Sequence, residues 1–305
     1  MNSNRSQCSI ESSIKELITR AGAVAVGIAE AMPVEQEAAE AYDLWLEQSK
    51  NAGMAYMERY RDIRRDPRML LDGCKSIITA AFSYAQKDHS TLFSDYALGK
   101  DYHDVLRQVL APATQFLENY LSGTSTRICI DSAPIRERYW AVKAGIGFIG
   151  LNNQLIIPGI GSKVFLAEIL WTGQLQADNP CKLSCGECRR CLQACPGHAL
   201  DGHSALDASK CLSYLTIEHR GELPPGVSFP GKIYGCDICQ DVCPHNNNQA
   251  HAKTLPEFLP SEEILSMDRE RILNMDNDHF RMLFRKSPVW RIKLANLQRN
   301  TLLNK

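Results

Sequence analysis

Between Cys185 and Pro244 the chain places eight of its twelve cysteines. They begin as Cys185-x2-Cys188-x2-Cys191-x3-Cys195-Pro196, continue with a single Cys211, and end as Cys236-x2-Cys239-x3-Cys243-Pro244. No other feature restricts the fold as much. Three thiolates at x2 spacing suit three corners of one [4Fe–4S] cube, and a fourth cysteine just before proline is turned toward a second cube. The spacing therefore predicts two cubes with crossed ligands. Cys185, Cys188, Cys191 and Cys243 hold one, and Cys195, Cys211, Cys236 and Cys239 hold the other. Zinc sites pair C-x2-C knuckles around a single metal, which this run fits poorly. Disulfides need an oxidising compartment, and the opening MNSNRSQCSIESS has neither the basic nor the apolar region of a signal peptide. Two neighbouring cubes make a path for single electrons.

What that path feeds has to be sought in the rest of the chain. Its 305 residues, 44% hydrophobic and 23% charged, allow one large or two medium globular domains. A net charge of −1 excludes a general attraction to nucleic acid, though not a local basic patch. The apolar run Val164–Trp171 is far too short to cross a bilayer, so no membrane contact and a cytoplasmic location are expected. Cys8, Cys74, Cys129 and Cys181 stand outside the cluster pattern and read as small buried hydrophobes.

The first 175 residues alternate helical and strand patterns. Ser13–Arg20 has helical spacing and stops at Gly22; Val24–Ile28 reads as a short buried strand. Pro33–Lys50 and Asp101–Leu121 read as helices, the second kinked or split at Pro112. Ser76–Tyr84, Arg127–Asp131, Gln154–Pro158 and Lys163–Leu170 read as strands, and Ile135–Ala144 as a helix. Such alternation predicts an α/β layer structure. The fold class is therefore α+β: an α/β domain over 1–175, a ferredoxin-like module over 176–250, and a helical tail over 251–305. Two or three short helices are expected in that tail, which is basic through Arg281, Arg285, Lys286, Arg291, Lys293 and Arg299.

Asp131-Ser-Ala-Pro-Ile-Arg-Glu-Arg138 joins the end of a strand to the start of a helix. Functional groups collect at strand carboxyl ends in α/β sheets, so Asp131 is a candidate acid or base; equally, Asp131 or Ser132 could simply cap the helix. Arg136, Glu137 and Arg138 read as a surface ion-pair set. Gly145-Ile-Gly-Phe-Ile-Gly150 matches G-x-G-x-x-G by letter, but it follows a helix, which disfavours a dinucleotide site. Its glycines suit a backbone that approaches something bulky.

Taken in order, Lys100-Asp-Tyr-His-Asp-Val-Leu106, Asp131-Ser-Ala-Pro through Gly150, Ser184 to Pro196, Lys210 to His219, Tyr234 to Pro244 and Ser287-Pro-Val-Trp-Arg291 resemble the epoxyqueuosine reductases. The likeness covers most of the chain. It implies a cobalamin-binding domain joined to a two-cluster ferredoxin module, as in reductive dehalogenases. It implies an oxidoreductase that removes the epoxide oxygen of epoxyqueuosine at the wobble position of a tRNA anticodon. Asp131 takes the place of the proton donor, which calls for a carboxyl pKa raised by burial. The implied cobalamin pocket uses Tyr102, His103, Asp131, Arg138, Leu155, Ile156, Ile157 and Ser162, mostly through backbone. Implied partners are the tRNA anticodon stem-loop and a low-potential donor such as a flavodoxin or ferredoxin, with the protein a monomer. Arg64, Arg65, Arg68, Arg138, Arg220 and the basic tail are candidate phosphate contacts. The sequence departs from the family at Leu151, where lysine is common, and at Lys163, where an aromatic is common; it also ends without the helical-repeat domain of longer members. Two other readings compete: a related reductase acting on a small molecule, and a pure electron carrier, which would need neither the first 175 residues nor Asp131.

Overall fold

The computed structural model describes residues 9–86, 92–203, 205–247 and 253–304. Cys8 and the N-terminal stretch read above for a signal peptide up to residue 8 lie outside these. Among the described residues six strands are formed: β1 (Ala25–Glu30), β2 (Ser76–Ser83), β3 (Thr126–Cys129), β4 (Phe148–Ile149), β5 (Leu155–Ile156) and β6 (Val164–Trp171). Among the helices are α1 (Ile10–Arg20), α2 (Gln36–Glu47), α3 (Ala55–Arg59), α4 (Arg61–Arg65), α5 (Tyr102–Tyr120) and α6 (Glu137–Lys143).

The main sheet runs β1-β2-β6-β3, and every neighbouring pair is antiparallel. Helix–strand alternation would equally suit parallel crossovers; the pairing of distant β2 and β6 is a tertiary choice that local pattern does not encode. All eight residues of β2 are buried, because helices cover both faces of this sheet. Ile78, Ala80 and Phe82 of β2 join Ile169, Ala167 and Phe165 of β6 in a core closed by Ile14 and Ile18 of α1 and Leu106, Leu110 and Leu117 of α5. The opposite face puts Ile77 and Leu170 against Trp140 of α6 and Ile135. At roughly 1.5–3 kcal/mol per buried large apolar side chain, these two layers are the main source of the domain's stability.

Local signals account for the helix ends. The Ser9 hydroxyl accepts from the Ser12 amide to open α1, and Asp101 caps α5 by accepting from the His103 amide at 2.9 Å. Pro112 lies inside α5 without splitting it, so of the two expected effects the split is ruled out. The short β4–β5 hairpin explains the glycine run. A Cβ on Gly147 would lie 2.5 Å from the Ile156 carbonyl, and one on Gly145, at φ +77°, 2.4 Å from that of Asn179. The bulky neighbour that these glycines admit is the protein's own backbone.

Beyond β6, the cysteine segment folds around very short helices. The C-terminal segment forms four short α-helices, Glu262–Leu265, Arg269–Leu273, Asn277–Phe284 and Leu294–Leu303, with a 3-10 turn at Pro288–Ile292, one more than expected. Phe280, Phe284, Val289, Ile292 and Leu297 pack with Phe93, Ile217, Ile233 and Tyr234, so the tail shares a core with the cluster segment. A buried charge network adds a second joint. The Lys163 ammonium contacts Asp95 at 2.6 Å and Asp241 at 2.7 Å, and Lys232 contacts Asp237 at 3.1 Å. Asp237 and Asp241 lie between the cysteines 236, 239 and 243, so Lys163 bolts the sheet to the cluster segment. No helix among the described residues is long and apolar enough to cross a membrane.

Candidate active site and cluster centre

The first turn of α5 faces the end of β3. Asp101, as the cap, also accepts from His103 Nδ1 at 2.8 Å, which turns Nε2 toward Asp131 Oδ2, 3.5 Å away. The Tyr102 hydroxyl donates to the same oxygen at 2.8 Å, and its ring lies parallel to Phe165 of β6 with centroids 4.4 Å apart. Tyr102 and His103 therefore meet at the Asp131 carboxylate, as the resemblance places the three residues together.

Asp131 sits in the left-handed region at φ +46°, which costs a residue with a Cβ roughly 1–2 kcal/mol. Its amide donates to Glu137 Oε1 at 2.5 Å. Burial works to raise the Asp131 pKa, but the hydrogen bonds from His103 and Tyr102 outweigh it and hold the carboxyl below its ordinary range. This corrects the expectation of a raised pKa: burial was foreseen, the two donors from another element were not. The proton instead rests on His103, whose bond to Asp101 and then to Asp131 lifts it to about 9 against burial. The side chain of Asp131 keeps 57% of its surface accessible although burial is the largest influence on it. Its oxygens stay reachable from solvent while α5 holds one of them. Arg291 and Tyr56 lie within electrostatic reach of it, the Arg291 guanidinium 5.8 Å from the Tyr56 ring centre.

The residues read as a surface ion-pair set are not one. Arg136 lies against the Tyr42 and Tyr139 rings, Arg138 donates to the Asn153 carbonyl, and Glu137 turns inward. Leu155, Ile156 and Ile157 are at most 3% exposed, with Leu155 and Ile157 in a core with Ala81 and Ala141. Ser162 bonds to Asn246 through its amide at 2.7 Å. The side chains of Leu155, Ile156 and Ile157 are therefore largely withdrawn from solvent, while Pro158 and Gly159 are exposed. Among the other basic candidates, Arg65 pairs with Asp43, Arg68 with Asp66, and Arg220 donates to the Ile217 carbonyl.

The cysteines fall into two groups. Cys185, Cys188, Cys191 and Cys243 line one cavity together with Asn152, Ile156, Arg190, Pro244 and His245. Cys236, Cys211 and Cys195, and after them Cys191 of the first group, act electrostatically on the Cys239 thiol, so Cys239 lies among the remaining cysteines and next to the first set. Burial, then the neighbouring Cys211, push Cys236 up to about 11; thiols raised in this way become ligands when a cation deprotonates them. Backbone amides of Leu151 and Ala199 donate to the sulfurs of Cys185 and Cys195, each at 3.4 Å, as sulfur ligands of iron accept. Among the described residues no three His, Cys, Asp or Glu side chains converge on one metal-ion position; the sulfurs instead surround a space.

Residues 184–246 match the family described as a 4Fe-4S double cluster binding domain, and residues 64–132 that of epoxyqueuosine reductase QueG, DUF1730. The epoxyqueuosine reductase of Cellulophaga algicola is 38% identical, over 94% of this chain and 95% of its own. The chain belongs to the epoxyqueuosine reductase family. Its members include two solved structures of similar fold, each 30% identical over 96% of this chain and 80% of theirs. One, at a TM-score of 0.87, is an epoxyqueuosine reductase with an epoxyqueuosine-modified tRNA-Tyr stem loop. The other, at 0.85, is the Bacillus subtilis enzyme with its catalytic aspartate loop swung out of the active site. As a family member the chain is an oxidoreductase carrying a domain for two [4Fe–4S] clusters. Zinc is thereby set aside, as is the pure electron carrier.

Sequence reasoning missed Glu137 and Glu168. Glu168 is fully buried in β6, and neither of its carboxyl oxygens has a hydrogen-bond partner. A lone charge in the apolar run Val164–Trp171 was the available signal.

Proposed function

We propose that this chain reduces epoxyqueuosine to queuosine in the anticodon loop of tRNA, with Asp131 and His103 supplying the proton and cobalamin bound over Asp131. The observation that carries the reading is the solvent-accessible Asp131 carboxylate, held by Tyr102 and by a protonated His103. Removing an epoxide oxygen as water needs two electrons and two protons, and the leaving oxygen departs readily only when protonated. When bound, the clusters and cobalamin supply the electrons. Asp131, Tyr102, His103 and Arg138, with the backbone of 155–162, hold the cofactor and orient the epoxide oxygen toward the acid. His103 stores the proton; Asp131 accepts its charge and steers it. The three regions 1–175, 176–250 and 251–305 serve as catalytic, electron-relay and covering parts. The chain works as a cytoplasmic monomer fed by a low-potential flavodoxin or ferredoxin.

Deleting the gene and analysing tRNA nucleosides tests the reading. Epoxyqueuosine is expected to accumulate at the expense of queuosine, and unchanged queuosine rejects it. For the clusters, Cys185, Cys188, Cys191 and Cys243 take one, and Cys195, Cys211, Cys236 and Cys239 the other. Anaerobically purified protein is expected to carry about eight irons. Cys211→Ala should lose roughly half of them; a loss of all or none contradicts the two sets.

The tail supports the tRNA part in a narrower way than its charge suggested. Arg291 forks onto Glu218 at 2.7 and 3.0 Å, and Arg299 binds the Gly221 carbonyl at 2.7 Å, so both tie the tail down. Arg285 and Lys286 are exposed, and the Lys286 carbonyl accepts from the Asp101 amide at 2.8 Å, beside the active-site turn of α5. Changing both to Glu is expected to weaken stem-loop binding and flatten its salt dependence, since each phosphate contact releases a counterion. Equal salt slopes for variant and parent would leave these two residues no part in binding.

A further inference from the structure

We propose that Glu137 is a latch that holds the Asp131 turn in its working geometry. The proposal rests on the reading of Asp131 given above and adds a positioning residue to it.

The turn cannot hold itself. Asp131 is a non-glycine residue at φ +46°, and Ser132 and Ile135 make only short local bonds, to the Ile130 and Ala133 carbonyls. Residues in this region of backbone space persist only where the surroundings over-determine them. The carboxylate itself is held from α5, but among the described residues its backbone has one anchor from outside the turn: Asp131 N–H donates to Glu137 Oε1 at 2.5 Å. That anchor is rigid. Glu137 is the first residue of α6, a helix fixed by buried Trp140 and by Arg136, whose guanidinium donates to the Ala38 carbonyl at 2.8 Å.

Beneath Glu137 the structure concentrates unsatisfied polar groups. Glu168, Thr79 and the Trp140 indole nitrogen are buried without hydrogen-bond partners. Thr79 and Glu168 are directly paired across β2 and β6, and Cys129 pairs with Glu168 from β3. Glu168 and Glu137 influence each other electrostatically. Two buried carboxyls this close do not both ionise, and a neutral one still accepts a hydrogen bond through its carbonyl oxygen. Glu137 thus needs its oxygen and its reach, not its charge, to hold the Asp131 amide. A loop freed from this anchor leaves the carboxyl misplaced, and misplacement by about 1 Å can cost on the order of 100-fold in rate.

The test compares Glu137→Gln and Glu137→Leu in cluster-loaded protein by two measurements. Amide hydrogen exchange reads the Asp131 N–H without substrate; turnover of an epoxyqueuosine-modified stem loop reads the consequence. Glu137→Gln keeps an acceptor and is expected to retain exchange protection and turnover within about threefold. Glu137→Leu is expected to speed exchange at 131–135 by at least about tenfold and to lower kcat about 10- to 100-fold, with KM and iron content unchanged. Unchanged exchange or unchanged kcat in Glu137→Leu overturns the latch, as does a Gln variant as impaired as the Leu variant. Should Leu fail to fold, Gln with lost protection overturns it and Gln with full protection supports it. If the parent does not turn over the stem loop, the proposed substrate is wrong, and exchange still decides the latch.

Discussion

Asp131→Asn is expected to lower turnover by roughly 10²–10⁴-fold, the range over which a positioned group of a proton-transfer pair contributes. Binding should survive, because the amide keeps the shape and still accepts from the Tyr102 hydroxyl, the 2.8 Å bond of the parent. The charge state of His103 makes the prediction sharper. Asp101 and Asp131 together lift the imidazole to about 9, so it carries its proton at neutral pH. In the parent, kcat/KM should fall as pH rises through about 9, where the free enzyme loses that proton. Without the Asp131 charge the remaining lift comes from Asp101 alone, so the falling limb should move to lower pH. Cluster absorbance and stem-loop affinity are the controls. Full activity in Asp131→Asn would remove it from the proton path; an unmoved limb would uncouple it from His103.

Lys163→Met is expected to destabilise the protein by about 3–5 kcal/mol, the usual cost of stripping one partner from a buried ion pair. Lys163 is 9% exposed and Asp95 7%, and Asp95 already has its pKa raised by burial and then by Asp237. Removing the ammonium leaves Asp95 and Asp241 facing Asp237 with Lys232 alone to offset them. A drop in Tm on the order of 10 °C should be measurable in the anaerobic holoprotein. Pairing it with Asp95→Asn should recover part of the loss, because the stranded charge is then gone. A Tm within 2 °C of the parent would show that water reaches the network and screens it.

Much of the cluster centre was legible because cysteine spacing is local and its meaning is chemical. The first run and the 236–243 run carry their ligands within a few residues, and the cavity lined by Cys185, Cys188, Cys191 and Cys243 brings together one of the groups read from spacing. Strands β2 and β6 were legible as β-branched apolar runs, but their antiparallel pairing was not, since strand order is decided by contacts far apart in the chain. Asp131 was found from its place after a strand. Its low pKa was hidden because the donors, Tyr102 and His103, arrive from another helix. Lys163 stood out only as a departure from an aromatic; its partners Asp95 and Asp241 come from two distant segments. Glu137 was misread as a surface charge because nothing in Arg136-Glu137-Arg138 says which of the three turns inward.

The crossed cysteine order also sets how the module comes apart. With the proposed ligand sets, the cluster on Cys195, Cys211, Cys236 and Cys239 closes a loop that lies wholly inside the loop closed by Cys185 and Cys243. The two are nested crosslinks of inorganic material. Losing the outer cluster opens the larger loop while the inner knot still holds 195 to 239, and losing the inner one leaves its residues strung between closed ends. Loss of either cluster alone would therefore leave one of the two loops still closed.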